Sequence, residues 1–209
     1  PAESDIRVMA FVDGQSNRAE IRRTRAFRNG QHGFQIVGAG DARMADDCEA
    51  RDNLGYSQAW FGYSRDLNID RLRVSGQGIG AIVQSGGGRF RMRNGSFEKT
   101  GGRAVVMSYW TGAELRTNDI IDCGRMETSS NKAAVHLANI SRPVADDNRI
   151  THGADNTTAL YGLLADATCV GGIFTNNDLT GAGTTNANAL RVPAGSTCSN
   201  NTGRDGSPL

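Results

Sequence analysis

Short apolar runs alternate with glycine- and asparagine-rich breaks along almost the whole chain. The runs are Phe34 to Val37, Trp60 and Phe61, Ala81 to Val83, Ala104 to Met107, Val135 to Leu137, Leu160 to Leu164 and Leu190 to Val192, and their first members recur every 21 to 31 residues. Two further apolar columns keep step with them. The first is Ile21, Met44, Ile69, Met92, Leu115, Val144 and Ile173. The second follows five or six residues later at Phe27, Ala50, Val74, Phe97, Ile121, Ile150 and Leu179, and a glycine soon follows each member, as at Gly30, Gly76, Gly102, Gly124, Gly153 and Gly181. Each repeat therefore reads as three short strands separated by turns.

No window sustains the i, i+3, i+4, i+7 spacing of an amphipathic helix, which disfavours helical solenoids. Propeller repeats are longer and leucine-rich repeats need a Leu/Asn consensus that is missing here. What remains is a solenoid of β coils, each strand pairing in parallel with its equivalent about 4.8 Å along the axis. Stacking of this kind predicts ladders of like residues. Asn94, Asn118, Asp147 and Asn176 each stand three residues before the second column, where an Asx side chain can bond turn backbone and tolerate a left-handed φ.

With the three-strand coil and the Asn-bearing bend on the page, segments such as RTNDIIDCG, VADDNRITHG and GIFTNNDLTGAG carry a resemblance. The chain resembles the pectin-lyase-like group, which includes pectate lyases, polygalacturonases, alginate epimerases and bacteriophage tailspikes. The pattern covers about residues 20–203, leaving 1–19 as an irregular or partial first coil and 204–209 as a tail. The resemblance implies an all-β, right-handed, single-stranded parallel β-helix of about seven coils. It also implies a polysaccharide partner, a homotrimer as one assembly, and an extracellular or virion-surface location. An N-terminal capping helix, usual in that group, has no counterpart, which supports a piece of a longer chain or of a larger assembly.

Composition narrows the partners. There are 27 glycines among 209 residues, roughly twice the usual share of about 7%. The 23 basic and 22 acidic residues leave a net charge of +1, so no bulk field draws nucleic acid or an anionic membrane. No run approaches the roughly 18 apolar residues of a membrane span, and the N-terminus lacks a signal-peptide pattern. Cys48, Cys123, Cys169 and Cys198 lack metal-ligand spacing and read as buried thiols rather than bridges. No metal or cofactor is expected.

Candidate chemistry follows from strand alternation. On the first strand, Phe34, Ala59, Ile82, Val105, Val135, Leu160 and Leu190 point inward, and Gln35, Trp60, Val83, Val106, His136, Tyr161 and Arg191 point outward. In the resembling enzymes this exterior forms the substrate groove, yet the column holds no carboxylate. It does hold aromatics: Trp60, Tyr63, Tyr109, Trp110 and Tyr161 fall on or just past it, and such rings suit sugar faces or, equally, lateral packing. Arg191 joins them as a substrate-binding candidate. Glu98 and Asp122 follow core positions of adjacent coils, so they are expected to face out about 5 Å apart as a glycosidase pair, or to pair with Lys99 or Arg103. His136, with Tyr161 and Arg191 in its column, is the candidate base for a lyase. His32 and His152 lie beside glycines and suit turn hydrogen bonds.

Arg22, Arg23, Arg25, Arg43, Arg71, Arg73, Arg91, Arg93 and Arg116 gather near the second strand, where they suit either a basic stripe that grips an acidic polysaccharide or, more readily, a solvent face salt-bridged by Asp46, Asp47, Asp66 and Asp70. The sequence supports three functional classes: a tailspike- or tail-fibre-like module that binds a bacterial surface polysaccharide and could also depolymerise it; a self-contained pectin-lyase-like hydrolase or lyase; and a non-catalytic rod or adhesin.

Overall fold

The computed structural model describes residues 8–11, 19–30, 32–38, 40–45, 47–54, 56–84, 88–126, 132–153 and 160–209. Three parallel sheets run the length of a β-solenoid of about seven turns. The first is built from Val8–Phe11, Phe34–Val37, Ser57–Gly62, Ile79–Gln84, Val105–Ser108, Ala133–Ala138, Tyr161–Ala165 and Leu190–Arg191. The second runs through Ala19–Arg22, Asp41–Ala45, Asp66–Asp70, Arg89–Arg93, Gly112–Arg116, Pro143–Asp146, Ile173–Thr175 and Thr197–Ser199. Six strands of three residues, from Arg25–Phe27 to Arg149–Thr151, form the third. It continues as single bridges through Asp178 and Thr202, and Pro208 then bridges antiparallel onto Thr202.

Strands this short bury few residues each, so stability comes from stacking equivalent side chains along the axis. Phe34, Phe61, Phe90, Phe97 and Phe174 are fully buried within one continuous core. Cys48, Cys123 and Cys169 are buried, whereas Cys198 is exposed.

The registers correct the sequence reading in specific places. On the first sheet Ala81, not Ile82, aligns with Ala59 and Val105, and Leu163, not Leu160, aligns with Val135. The inner column of the second sheet passes through Ala145 and Phe174, while Val144 and Ile173 lie in the outer one. On the third sheet Ala26 and Ile120 replace Phe27 and Ile121 as inward residues. At each of these points two neighbouring residues are apolar, so alternation alone cannot choose between them.

Asn118 stands in the asparagine ladder as expected, but in the other coils the ladder residue is one position further on. Asn94, Asp147 and Asn176 hold the left-handed backbone of the bend at φ 55°. The buried row comes next: Asn118, Asn148, Asn177 and Asn201. Each of the first three donates from both its backbone N–H and its Nδ2 to the Oδ1 of the next, at 2.9–3.1 Å. A second Nδ2 bond reaches a main-chain carbonyl, as from Asn148 to Leu115 O at 2.9 Å. The ladder thus satisfies backbone donors and acceptors that a tight turn would otherwise leave buried and unpaired. Among the candidate aromatics, Trp110 proves to be a core residue, 2% exposed with its ring 5.5 Å from that of Phe90.

Candidate functional site

The outer column of the first sheet runs Gln35, Trp60, Ile82, Val106, His136, Leu164, Arg191. It differs from the sequence reading at Ile82 and Leu164, which stand where Val83 and Tyr161 were expected. This face is unusually dry for one outside the solenoid. Ile82, His136 and Leu164 are buried, and Ala133, Tyr161 and Leu164 form a second apolar cluster outside the main core. The face changes character along the axis, from apolar around Trp60 to charged around His136 and Arg191.

Two tyrosines flank it. Tyr63 and Tyr109 follow the first-sheet strands of their coils in left-handed backbone, at φ 54° and 62°, and expose 61% and 60% of their surface. Their amides make the same bend bond, to Gln84 O and Ala138 O of the following coil. They therefore occupy one bend column two coils apart, roughly 10 Å along the axis. Left-handed φ is costly for a bulky side chain, and glycine or asparagine is the usual occupant. The same column indeed holds Gly38 and Asn139.

Trp60 is half-buried, its ring 5.8 Å from that of His32. Tyr161, expected to be exposed, is 7% exposed; its hydroxyl accepts from Arg191, whose guanidinium lies 5.4 Å from the ring centre. Trp110, being inside, presents no face to a ligand. His32 and His152 do make turn bonds: His32 Nδ1 lies 2.9 Å from Ser57 Oγ, and His152 Nδ1 accepts from Gly183 N–H at 3.1 Å.

His136 sits in a three-member chain that the sequence did not reveal. Arg103 Nη1 lies 2.7 Å from Nδ1, and Asp166 Oδ2 lies 3.7 Å from Nε2. A guanidinium can only donate, so Nδ1 accepts and the ring proton belongs on Nε2, facing Asp166. His136 can thus receive a substrate proton at Nδ1 only if Arg103 moves away. Beside it, Leu164, Asp166, Arg191, Val192 and Pro193 line a shallow cleft of about 250 Å³. Arg103 and Asp166 flank strands without belonging to any repeating column, so no periodic signal marks them.

The two acids nominated as a glycosidase pair are not brought face to face. Glu98 aligns with Ile121, and the coil equivalent of Asp122 is Lys99, whose N–H donates to Ile121 O. Glu98 is exposed, with Lys99 Nζ at 3.5 Å. Asp122 is buried in a left-handed bend, held by Arg125 Nη1 at 2.9 Å and Gly153 N–H at 3.2 Å. Among the described residues no group of three or more His, Cys, Asp or Glu could hold a metal ion.

On the second sheet the arginine stripe is mostly neutralised where it passes Glu114. That carboxylate meets Arg93 at 2.9 Å, Arg116 at 3.4 Å and Arg91 at 3.6 Å. Burial pushes its pKa up, but the Arg93 hydrogen bond and the charges of Arg91 and Arg116 outweigh this and hold it low. Asp146, bonded by Thr175, Asn176 and Arg116, is likewise lowered. Asp46 lies outside the described residues.

No family model matches the chain, and no curated protein or solved structure matches it either.

Proposed function

We propose that the protein is a polysaccharide-binding β-solenoid of the tailspike or tail-fibre kind, which lays an extended glycan along its axis on the outer face of the first sheet. The observation that carries this reading is the pair of exposed tyrosines, Tyr63 and Tyr109, in equivalent left-handed bends. Neither ring belongs to the hydrophobic core, and more than half of each is left open to a partner. A ring held rigidly on a bend does offer apolar area with a polar edge at little entropic cost to a ligand. Trp60, Arg103 and Arg191 border the same face and supply further contacts. An extracellular or virion-surface setting and assembly as a homotrimer belong to the same proposal.

The second reading is cleavage. It is favoured by His136 Nε2 lying 3.7 Å from Asp166, which together with Arg191 lines the neighbouring cleft, with Arg103 required to release Nδ1 before proton transfer. The test is incubation with a panel of neutral and acidic bacterial polysaccharides, following retention of the polymer, new reducing ends and unsaturated-uronate absorbance. Retention that Tyr109→Ala weakens supports the binding module. Turnover that His136→Ala abolishes supports the enzyme. Neither retention nor turnover would leave a rod.

A further inference from the structure

The outer face of the third sheet carries its charges in an unusual order. By strand register one outward column runs Arg25, Glu49, Arg73, Ser96, Asp119, Arg149 and Asp178. Arg25, Arg73, Arg149 and Asp178 are exposed, and Glu49, Ser96 and Asp119 are half-buried. Alternating signs suit side chains stacked about 4.8 Å apart, and on each side of Ser96 the signs do alternate. Across Ser96 they do not. Continued alternation would place an acid at 96 and a base at 119, whereas the neutral serine shifts the phase. Arg73 therefore meets no opposite charge on its Ser96 side and reaches out of the column to Asp47, at 3.4 Å. The contacts inside the column are long, at 3.6 Å for Arg25 with Glu49 and 3.9 Å for Arg149 with Asp119.

Turned end for end about Ser96, this column becomes its own charge complement. Arg25 then faces Asp178, Glu49 faces Arg149, Arg73 faces Asp119, and Ser96 faces its own copy. A two-fold axis lying in the interface along the Ser96 strand performs that operation on a second chain, and such a contact makes every pair twice. Copies running the same way would instead set the column against its neighbour on the same strands, where Glu49 alone meets an opposite charge, at Arg51. In the antiparallel arrangement the neighbouring column brings like charges together only at Glu98, and each Glu98 has its own Lys99 at 3.5 Å.

We propose that two copies of the chain pair antiparallel through their third sheets, centred on Ser96. The column is about 29 Å long on strands of three residues, a small face beside the roughly 1,200–2,000 Å² that stable interfaces bury. The pairing is accordingly weak and held in register by charge. It leaves the first-sheet face open and does not rest on the glycan reading. Any three-fold assembly uses a different face.

The test is sedimentation velocity of the whole chain over a concentration series. The expected result is an even step in mass, from one copy to two or from three to six, with Kd on the order of 100 micromolar and loss of the step at about 0.5 M salt, where exposed charges are screened. Arg73→Asp and Asp119→Arg should each weaken the step about tenfold or more, since each sets like charges across the axis. Mixed in equal amounts, the two variants should restore it, because their charges are opposite at each facing pair; a merely structural defect would not be rescued this way. Tyr109→Ala should leave the step unchanged, which separates this result from the fate of the glycan reading. Far-UV circular dichroism checks that each variant is folded. No even step in mass, a step indifferent to salt, or a mixture that associates no better than the single variants would each overturn the proposal.

Discussion

Replacing Asn148 by alanine removes one rung of the buried ladder and leaves a countable set of groups without partners. In the intact protein its Oδ1 accepts from Asn118 N–H at 3.1 Å and Asn118 Nδ2 at 2.9 Å, while its Nδ2 donates to Leu115 O and Asn177 Oδ1, both at 2.9 Å, and to Asp146 O at 3.2 Å. Three of these five partners are main-chain groups, and Asn118, Asn148 and Asn177 are all buried, which keeps water from replacing the lost bonds. Each buried group left unsatisfied costs about 1–3 kcal/mol. Side-chain relaxation of Asn118 and Asn177 should recover part of this, so Asn148→Ala is expected to destabilise by about 3–5 kcal/mol. Asp147→Ala, one residue earlier at φ 55° and exposed, gives up only left-handed tolerance and should cost about 1 kcal/mol. Urea unfolding followed by far-UV circular dichroism compares the two on one scale. If Asn148→Ala costs no more than Asp147→Ala, the ladder is not what satisfies the bend.

His152 should make stability fall in acid. Burial, helped by Arg204 and opposed by Asp122, lowers its pKa from 6.5 to about 4. The folded state then holds fewer protons than the unfolded chain between those values, so its contribution is complete above pH 6.5 and declines towards pH 4. The total lost is about 3 kcal/mol, measured as the difference between the pH–stability curves of the wild type and His152→Gln. Gly80→Ala should destabilise by about 1–3 kcal/mol, because a Cβ there would sit 2.5 Å from Ala104 O and 3.0 Å from the Phe97 ring; thermal melts read the change. Trp110→Ala should cost about 3–5 kcal/mol as a core truncation while leaving polysaccharide retention per folded molecule unchanged.

The architecture was legible because three apolar columns and a bend row repeat together, and only parallel stacking explains such a coincidence. Register was less legible, for a physical reason visible in particular segments. At Ile120–Ile121 on the third sheet and Ala81–Ile82–Val83 on the first both faces of the strand are apolar; on the first sheet this is because its outer face is itself covered, Ile82 being 6% exposed. At Asp147–Asn148 and Asn176–Asn177 two Asx residues adjoin, one holding left-handed backbone and the other turning inward, so composition marked the bend without saying which residue enters it. The same limit displaced the chemistry. One residue of register separates a facing Glu98–Asp122 pair from the observed alignment of Asp122 with Lys99. Arg103 and Asp166 were out of reach, since their meeting at His136 depends on the paths of chain flanking three different coils. Tyr63 and Tyr109 were named for their position past the strand; their strained backbone and matching bend bonds required coordinates.

The central claim is that the first-sheet face, with its tyrosine column, holds a glycan. The most direct test is affinity electrophoresis of the wild type, Tyr63→Ala, Tyr109→Ala and the double variant through gels carrying each of a panel of bacterial surface polysaccharides. The account predicts that at least one polymer retards the wild type, that each single variant weakens retardation by about fivefold or more, in line with 1–3 kcal/mol for a contact aromatic, and that the double variant migrates freely. Undiminished retardation of the folded double variant, or no retardation of the wild type by any polymer, would contradict it.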